Sequence, residues 1–533
     1  MKHRLATVLM LAIACTATNA QNPYLPLWEF IPDGEPYVFE DPDNPGKYRV
    51  YIYGSHDNLV TEYCGRDQVV WSAPVEDLGA WRYDGVIFQS IYDANGELLS
   101  PDGTADVLYA PDVALKVDKD GNKKYYLYPN VQNWGRNNLV AVSDRPDGPF
   151  KVCNWSKDNP KATVGPLGFD PGILVDDDGR VYGYWGFGRS FAAELDPETM
   201  CTVKEGAEIV EDMVSSHNEP TGFRFFEASS IRKIKNKYVF VYSRVTEDGE
   251  FGLGASNNTL AYAYSDNPTG PWTYGGTLID ARGREKLPDG STVAVASPYG
   301  NTHGSLCKIG RKWWVFYHRQ TGLDQFSRQA MVAPVKVKVQ KRKGGKVIIS
   351  EGECTSEGFS IKGLDPMSRT KAAIASYFHQ PKGSSDSFPN FFWTGSYVQP
   401  DSCRKAECTV VNNTDGSIIG YKYFKMRPLR RARNLRFTVE LVPQGVDGKI
   451  TVLVGGPTPE LGGKVIAEIP VSANAPCELQ SVTTGVNKVK GLWGKKAVYL
   501  AFSTEAEDTS LCTLHAFQFV ADQKSLRTNK SVD

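Results

Sequence analysis

Hydrophobic and polar positions alternate in period two through one kind of run that recurs along the chain. It reads "KYRVYIYGS" from Lys47, "KKYYLYPN" from Lys123, "GRVYGYWG" from Gly179, "NKYVFVYS" from Asn236 and "RKWWVFYH" from Arg311. Aromatic or β-branched residues fill alternate positions in each copy, the mark of a half-buried strand. The copies begin roughly 55 to 75 residues apart. Turn signals separate them, including the near-duplicates "SDRPDGPF" at Ser143 and "SDNPTGPW" at Ser265. Such a spacing holds one four-stranded antiparallel sheet per repeat, and closing the sheets into a ring removes their exposed edges. The pattern predicts an all-β fold, a five-bladed β-propeller over residues 22–358.

From residue 359 the pattern changes. "HQPKGSSDSFPN" reads as loop, and "DGSIIGYKYF", "NLRFTVELV", "GKITVLVGG", "KVIAEIPV", "KAVYLAFS" and "TLHAFQFV" each suit a strand of a β-sandwich (residues 359–533). At the other end, "MKHRLATVLMLAIACTATNAQNP" has a basic head, an apolar run and small residues before a cut after Ala20. That is an export signal over residues 1–20, which places the mature protein in the periplasm or outside the cell. "AIAC" loosely resembles a lipoprotein cleavage box, and only a lipid on Cys15 would make a membrane a partner.

Composition narrows the picture little: 41% hydrophobic, 11% aromatic and 23% charged residues describe a globular protein with material for two or more cores. A net charge of −1 sets up no field for a polyanion, so no nucleic-acid partner is expected, and Lys341-Arg342-Lys343 reads as a solvated turn. Ten cysteines over 533 residues do not make a disulfide scaffold. Cys403 and Cys408 are close enough to pair across a turn, whereas Cys64, Cys153, Cys201 and Cys307 read as buried thiols. No CxxC or HExxH spacing suggests zinc.

The chemistry lies just upstream of the repeated strands. "IPDGEP" offers Asp33, "YAPDVAL" Asp112, "GFDPGIL" Asp170, "FFEASSI" Glu227 and "NTHGSL" His303, one ionisable group per blade. The first strand of a blade lines the ring axis, so these groups should converge at one end of the channel, where carboxylates repel and their pKa values spread apart. Glu227 follows Phe225 and Phe226, whose apolar surroundings should raise its pKa and keep a proton available near neutral pH. Taken singly, the acids beside Gly and Pro could merely shape turns. Most Trp and Tyr residues belong to propeller cores, but Trp28, Trp71, Trp134 and Trp185 near strand ends could stack on a sugar.

These motifs together, an early Asp ahead of "YIYGSHD" with "YAPDV", "FFEASSIRK" and "THGSL", resemble glycoside hydrolase family 43 over roughly Asn22 to Gly358. The resemblance implies a five-bladed propeller that cleaves furanose or pyranose sugars from plant oligo- or polysaccharides with inversion. It implies Asp33 as general base, Asp112 as the group that orients the acid and tunes its pKa, and Glu227 as general acid. His303 would be an axial histidine holding water or a metal ion. Trp28, Trp134, Trp185, Phe226, Asp170 and Arg319 are the candidate sugar contacts, with Asp170 also open to a purely structural part. No cofactor is required, a structural calcium ion being the one cation considered. The family's usual Ala-Asp-Pro is here Pro32-Asp33-Gly34-Glu35-Pro36, which leaves Glu35 as a rival base. Inversion calls for the acid and base to stand roughly 6.5–9.5 Å apart, with water between.

The C-terminal strands resemble family 6 carbohydrate-binding modules, and a sandwich serving only as structural support would show the same strands. The expected activity is α-L-arabinofuranosidase, with β-xylosidase and β-galactosidase next. Fructosidase elements such as Asn-Asp-Pro-Asn are absent, and the alternative of another class is a propeller that binds glycans without cleaving them.

Overall fold

The structure, a computed structural model, describes residues 20–522 apart from 60, 134, 221, 297–299, 380–383, 385–392, 401–406, 488–492 and 507. All of the export signal but Ala20, Cys15 included, with Trp134 and Cys403 therefore lie outside the described residues.

The five aromatic runs become the second strands of five antiparallel sheets: Tyr48–Tyr53, Lys123–Val131, Val181–Trp185, Lys237–Arg244 and Lys312–Gln320. Their period-two pattern buries one set of side chains against each neighbouring blade. Tyr51, Tyr53, Leu127 and Val113 share one such core, and Tyr184, Phe225, Phe240 and Tyr242 another. The first strands, Glu35–Glu40, Leu108–Val117, Gly172–Val175, Phe225–Ile234 and Leu306–Ile309, stand side by side around the axis. Blades one to four are four-stranded in simple sequential order.

Blade five differs from expectation, with three strands among the described residues, Leu306–Ile309, Lys312–Gln320 and Arg328–Val335. After Val335 the chain enters the hairpin Val337–Val339/Val347–Ile349, which packs toward blade four, where Tyr262 Oη takes the Ile349 N–H at 3.0 Å. The open edge is instead met by the N-terminal segment. Tyr24 N–H donates to the Ala330 carbonyl (3.3 Å), and the Asn22 side chain exchanges hydrogen bonds with Val332 in both directions at 2.7 and 3.0 Å. Start and end of the propeller are thereby clasped together.

The six C-terminal runs all form strands of two facing sheets. One follows the order Tyr397–Pro400, Cys408–Val411, Cys512–Val520, Arg436–Pro443, Gln480–Gly485; the other Tyr377–Phe378, Ile418–Lys425, Lys495–Thr504, Gly448–Val454, Lys464–Val471. Alternate residues such as Phe437, Val439, Leu441, Ile450, Val452, Leu500 and Phe517 fill the space between them. Leu27, from the N-terminal segment, belongs to this same core. Cys64, Cys201 and Cys307 are buried, but Cys153, expected to be buried, is exposed at the blade-two edge. Cys408 is buried with its Sγ 3.1 Å from the Leu27 carbonyl oxygen.

Candidate active site

A cavity of ≈ 320 Å³ lies where the inner strands meet, and its wall includes Asp33, Asp170, Glu227 and His303. Four of the five blades thus contribute the group that the repeat pattern assigns to them. The local backbone is unusual at these points. Asp33 (φ 59°), Asp170 (φ 48°) and Ala228 (φ 67°), next to Glu227, occupy the left-handed region, which is sparsely populated by residues other than glycine and concentrates at functional sites. Gly172 makes one of these turns possible: a Cβ there would stand 2.6 Å from the Ser229 carbonyl oxygen. Its absence lets the Asp170 turn approach blade four until the Ala228 N–H donates to Asp170 Oδ2 at 2.9 Å.

Asp33 is held as an anion. Burial alone would raise its pKa, but the Arg328 guanidinium (Nη1 to Oδ1, 3.1 Å) and the Ser55 hydroxyl, which donates to Oδ2 at 2.6 Å, hold it below the usual carboxylate range. Arg328 is itself oriented by a bidentate pair with Asp57, both contacts 2.8 Å, under the ring of Tyr63. The Asp33 N–H donates to His318 Nδ1 (3.2 Å), and the opposite ring nitrogen faces the Asn301 carbonyl at 3.0 Å, so Nε2 carries the proton. Burial holds the His318 pKa down at about 3, hence a neutral ring.

Glu227 has the opposite environment. It is 7% exposed, and burial followed by the nearby negative charge of Asp33 pushes its pKa up to about 7. Among the described residues its one polar side-chain contact is long, from Asn301 Nδ2 at 3.4 Å. Asp170 is raised as well, first by burial and then by Glu227 and Asp33. Glu227 and Asp170 therefore act as a coupled pair in which the second ionisation is opposed by the first.

Asp112 does not stand beside Glu227. It is fully buried and absent from the cavity wall; its carboxylate accepts hydrogen bonds from Tyr37 Oη (2.6 Å), Ile173 N (2.6 Å) and its own neighbour Val113 N (2.7 Å). Burial and Glu35 push its pKa up to about 7. The reason is strand phase. Asp112 pairs across its sheet with Tyr128 as Glu35 pairs with Tyr53, so it shares the level of Glu35, below that of Asp33. Glu35 lies on that lower level in an ion pair with Arg232 (2.6 Å). The group beside the acid is Asp170.

Of the expected sugar contacts, Phe226 lines the cavity, 5.0 Å from Phe187 and 5.2 Å from His217 between ring centroids. Trp185 is buried and stacked on Phe191 in the core between blades two and three. Trp28 is 44% exposed and leans on Trp71 outside the cavity wall. Arg319 points away from the cavity, giving Nη2–H to the Ala373 carbonyl (2.7 Å) and contacting the Ala375 carbonyl, both in the C-terminal part. Arg328, Asp57 and His318 escaped the sequence reading although "YIYGSHD" and "RKWWVFYH" contain two of them. Tyr63, Tyr109, Phe169 and Phe187 are further cavity residues it did not single out.

His303 Nδ1 lies 3.6 Å from Asp170 Oδ2 and 3.9 Å from Asp33 Oδ1, near both carboxylates but beyond direct hydrogen-bond distance. The donor set does not fit a cation: Asp33 Oδ1 already faces Arg328 and Asp170 Oδ2 already accepts a backbone N–H. Among the described residues no three His, Cys, Asp or Glu side chains are grouped to hold a metal ion.

Comparison with known proteins shows what the chain is similar to. The family described as "Glycosyl hydrolases family 43" matches residues 40–340, which include Asp170, Glu227 and His303 and begin just after Asp33. A "Xylosidase/arabinosidase" of Thermoclostridium stercorarium is 37% identical over 339 residues, covering 59% of this chain and 64% of its own length. An "Arabinoxylan arabinofuranohydrolase" of Paenibacillus polymyxa is 25% identical over 508 residues, covering 92% of this chain and 72% of that one. A solved family 43 arabinoxylan arabinofuranohydrolase from Bacillus subtilis, in complex with cellotetraose, is 20% identical, covers 95% of this chain and 98% of its own, and has a TM-score of 0.44.

Proposed function

This chain belongs to glycosyl hydrolases family 43, and we propose that it is an exo-acting glycosidase releasing terminal α-L-arabinofuranosyl units by single displacement with inversion. The observation that carries the reading is the opposed setting of two carboxyl groups in one cavity. Asp33 is kept ionised by Arg328, and Glu227 is kept protonated up to about pH 7. Asp33 is the base that takes a proton from water as it attacks the anomeric carbon, and Glu227 gives its proton to the leaving oxygen. Asp170 fixes the Ala228 backbone beside the acid and, by mutual repulsion, keeps the pair's last proton in place. His303 stands beside both Asp33 and Asp170. No step passes through a metal ion.

A cavity of ≈ 320 Å³ is at the small end of ligand pockets, which suits a terminal sugar better than a chain gripped along its length. A β-xylosidase is the second reading, supported by relatives whose names pair xylosidase with arabinosidase. The N-terminal segment supports export to the periplasm or the exterior. A propeller that only binds glycans would have no use for a carboxyl poised near neutral pH.

The test is turnover of aryl α-L-arabinofuranoside, β-D-xyloside and β-D-galactoside, with proton NMR of the first product. The arabinoside should be cleaved best, with the freed sugar of inverted configuration. Inertness toward all three would overturn the glycosidase reading, and retained configuration the single displacement.

A further inference from the structure

One wall of the cavity carries a polar group with nothing to hold. Asn257 lines it, is 5% exposed, and its Oδ1 is buried without a hydrogen-bond partner, alone in this among the described cavity residues. An unpaired buried amide oxygen is costly, and at a site it marks a place for a ligand atom. Gln325, another amide of the wall, already accepts the Tyr63 hydroxyl at 2.6 Å. The Asn257 backbone is rigidly set. Its carbonyl accepts from Ser243 Oγ (3.1 Å), the Thr246 N–H donates to the Ser256 carbonyl at 2.8 Å, and the Asn258 carbonyl accepts the Ala281 N–H at 2.9 Å. The backbone that carries the side chain is thus tied to the sheet at both sides.

Its position relative to the acid says what it meets. Ser243 is the register partner of Glu227, so Asn257, leading into the third strand Thr259–Ser265, stands outward from Glu227 on the same blade. Asp33 and His303 approach from blades one and five. In a single displacement the acid faces the leaving group while the attacking water comes from the opposite side. We propose that Asn257 recognises the leaving group: its carboxamide hydrogen-bonds a hydroxyl of the sugar unit from which the terminal residue is cut. This rests on the glycosidase reading and adds to it a preference for carbohydrate over other aglycones.

The experiment compares two substrates with the same terminal sugar, one on 4-nitrophenol and one on a xylo-oligosaccharide, in the wild type, Asn257→Ala and Asn257→Ser. The ratio of kcat/KM for the sugar leaving group to that for nitrophenol should fall about 10-fold in the alanine variant, the scale of one lost neutral hydrogen bond, and less in the serine variant, whose hydroxyl still accepts. With the wild type alone, removing one hydroxyl from the leaving sugar should reproduce the loss. An unchanged ratio in both variants, or indifference of the wild type to every deoxy leaving group, overturns the proposal while leaving the glycosidase reading intact. A wild type that cleaves neither substrate overturns both.

Discussion

Two carboxyl groups of similar intrinsic acidity end up on opposite sides of neutrality because of what each touches. Asp33 faces a guanidinium and a hydroxyl donor, whereas Glu227 faces apolar rings and one long amide contact. Replacing either by its amide removes proton transfer without changing volume, so Glu227→Gln and Asp33→Asn should each lower kcat by at least about 10²-fold with the thermal midpoint nearly kept. Glu35 cannot stand in for Asp33, since Arg232 holds it below the cavity. Activity in a folded Asp33→Asn protein would contradict that. The pH dependence follows from the same contacts. The acid must be protonated, so activity falls as pH rises through about 7, where Glu227 loses its proton; the base must be ionised, so the other limb lies below the ordinary carboxylate range. Asp170→Asn removes one of the two carboxyl groups near Glu227 and leaves Asp33 in place. The alkaline limb of kcat/KM should therefore move to lower pH, with a reduced maximum, and a full profile on one aryl glycoside would show it. An upward shift would mean that Asp170 does not act on Glu227 through charge.

At the scale of strands, legibility in the sequence followed periodicity. All five aromatic second strands were readable because alternation over five or more residues with flanking turns is the signature of a half-buried strand. The inner strands were harder, because polar residues, bulges and left-handed turns break their alternation: the register slips between Tyr109 and Asp112 and twice between Phe225 and Ser230. A residue's distance from its strand is then no guide to its depth along the axis, which is why Asp112 is expected on the cavity wall and Asp170 is found there. Facing was the second obstacle. Arg319 pairs across its hairpin with Gln329, and Gln320 with Arg328, so the two arginines take opposite faces, one toward the sandwich and the other toward the cavity. Nothing local says which. Arg319→Ala should accordingly behave as a stability variant. It strips buried carbonyls at Ala373 and Ala375 of their donor, costing about 1–3 kcal/mol for each acceptor left unpaired. The unfolding midpoint should fall while KM for an aryl glycoside changes less than twofold, and a large rise in KM would restore Arg319 to the sugar site.

For the molecule as a whole, the question is whether the sandwich is an appended module or part of what holds the propeller up. The contacts favour support. Leu27 leaves the propeller to complete the sandwich core, and Val295 packs with Tyr377, Leu453 and Tyr499. Backbone bonds cross the junction from Val398 N to the Thr321 carbonyl (2.9 Å) and from Ser356 N to the Lys422 carbonyl (2.6 Å), and Lys495 Nζ bridges to Glu357 at 2.7 Å. The clasp that closes the ring is involved too, since Asn22 bonds Thr355 and Ser356, on the strand path leading into the sandwich. A chain ending at residue 358 would expose these apolar side chains and leave the buried Arg319 guanidinium without its carbonyl acceptors. We expect that truncation to accumulate as insoluble protein, or, where soluble, to unfold at a midpoint lower by on the order of 10 °C, losing activity on a small aryl glycoside that has no use for a second binding domain. Calorimetry of the full chain should accordingly show one cooperative transition. Two resolved transitions, together with a truncated propeller that keeps its midpoint and its turnover of the aryl substrate, would make the sandwich an independent unit and return it to the part of a carbohydrate-binding module.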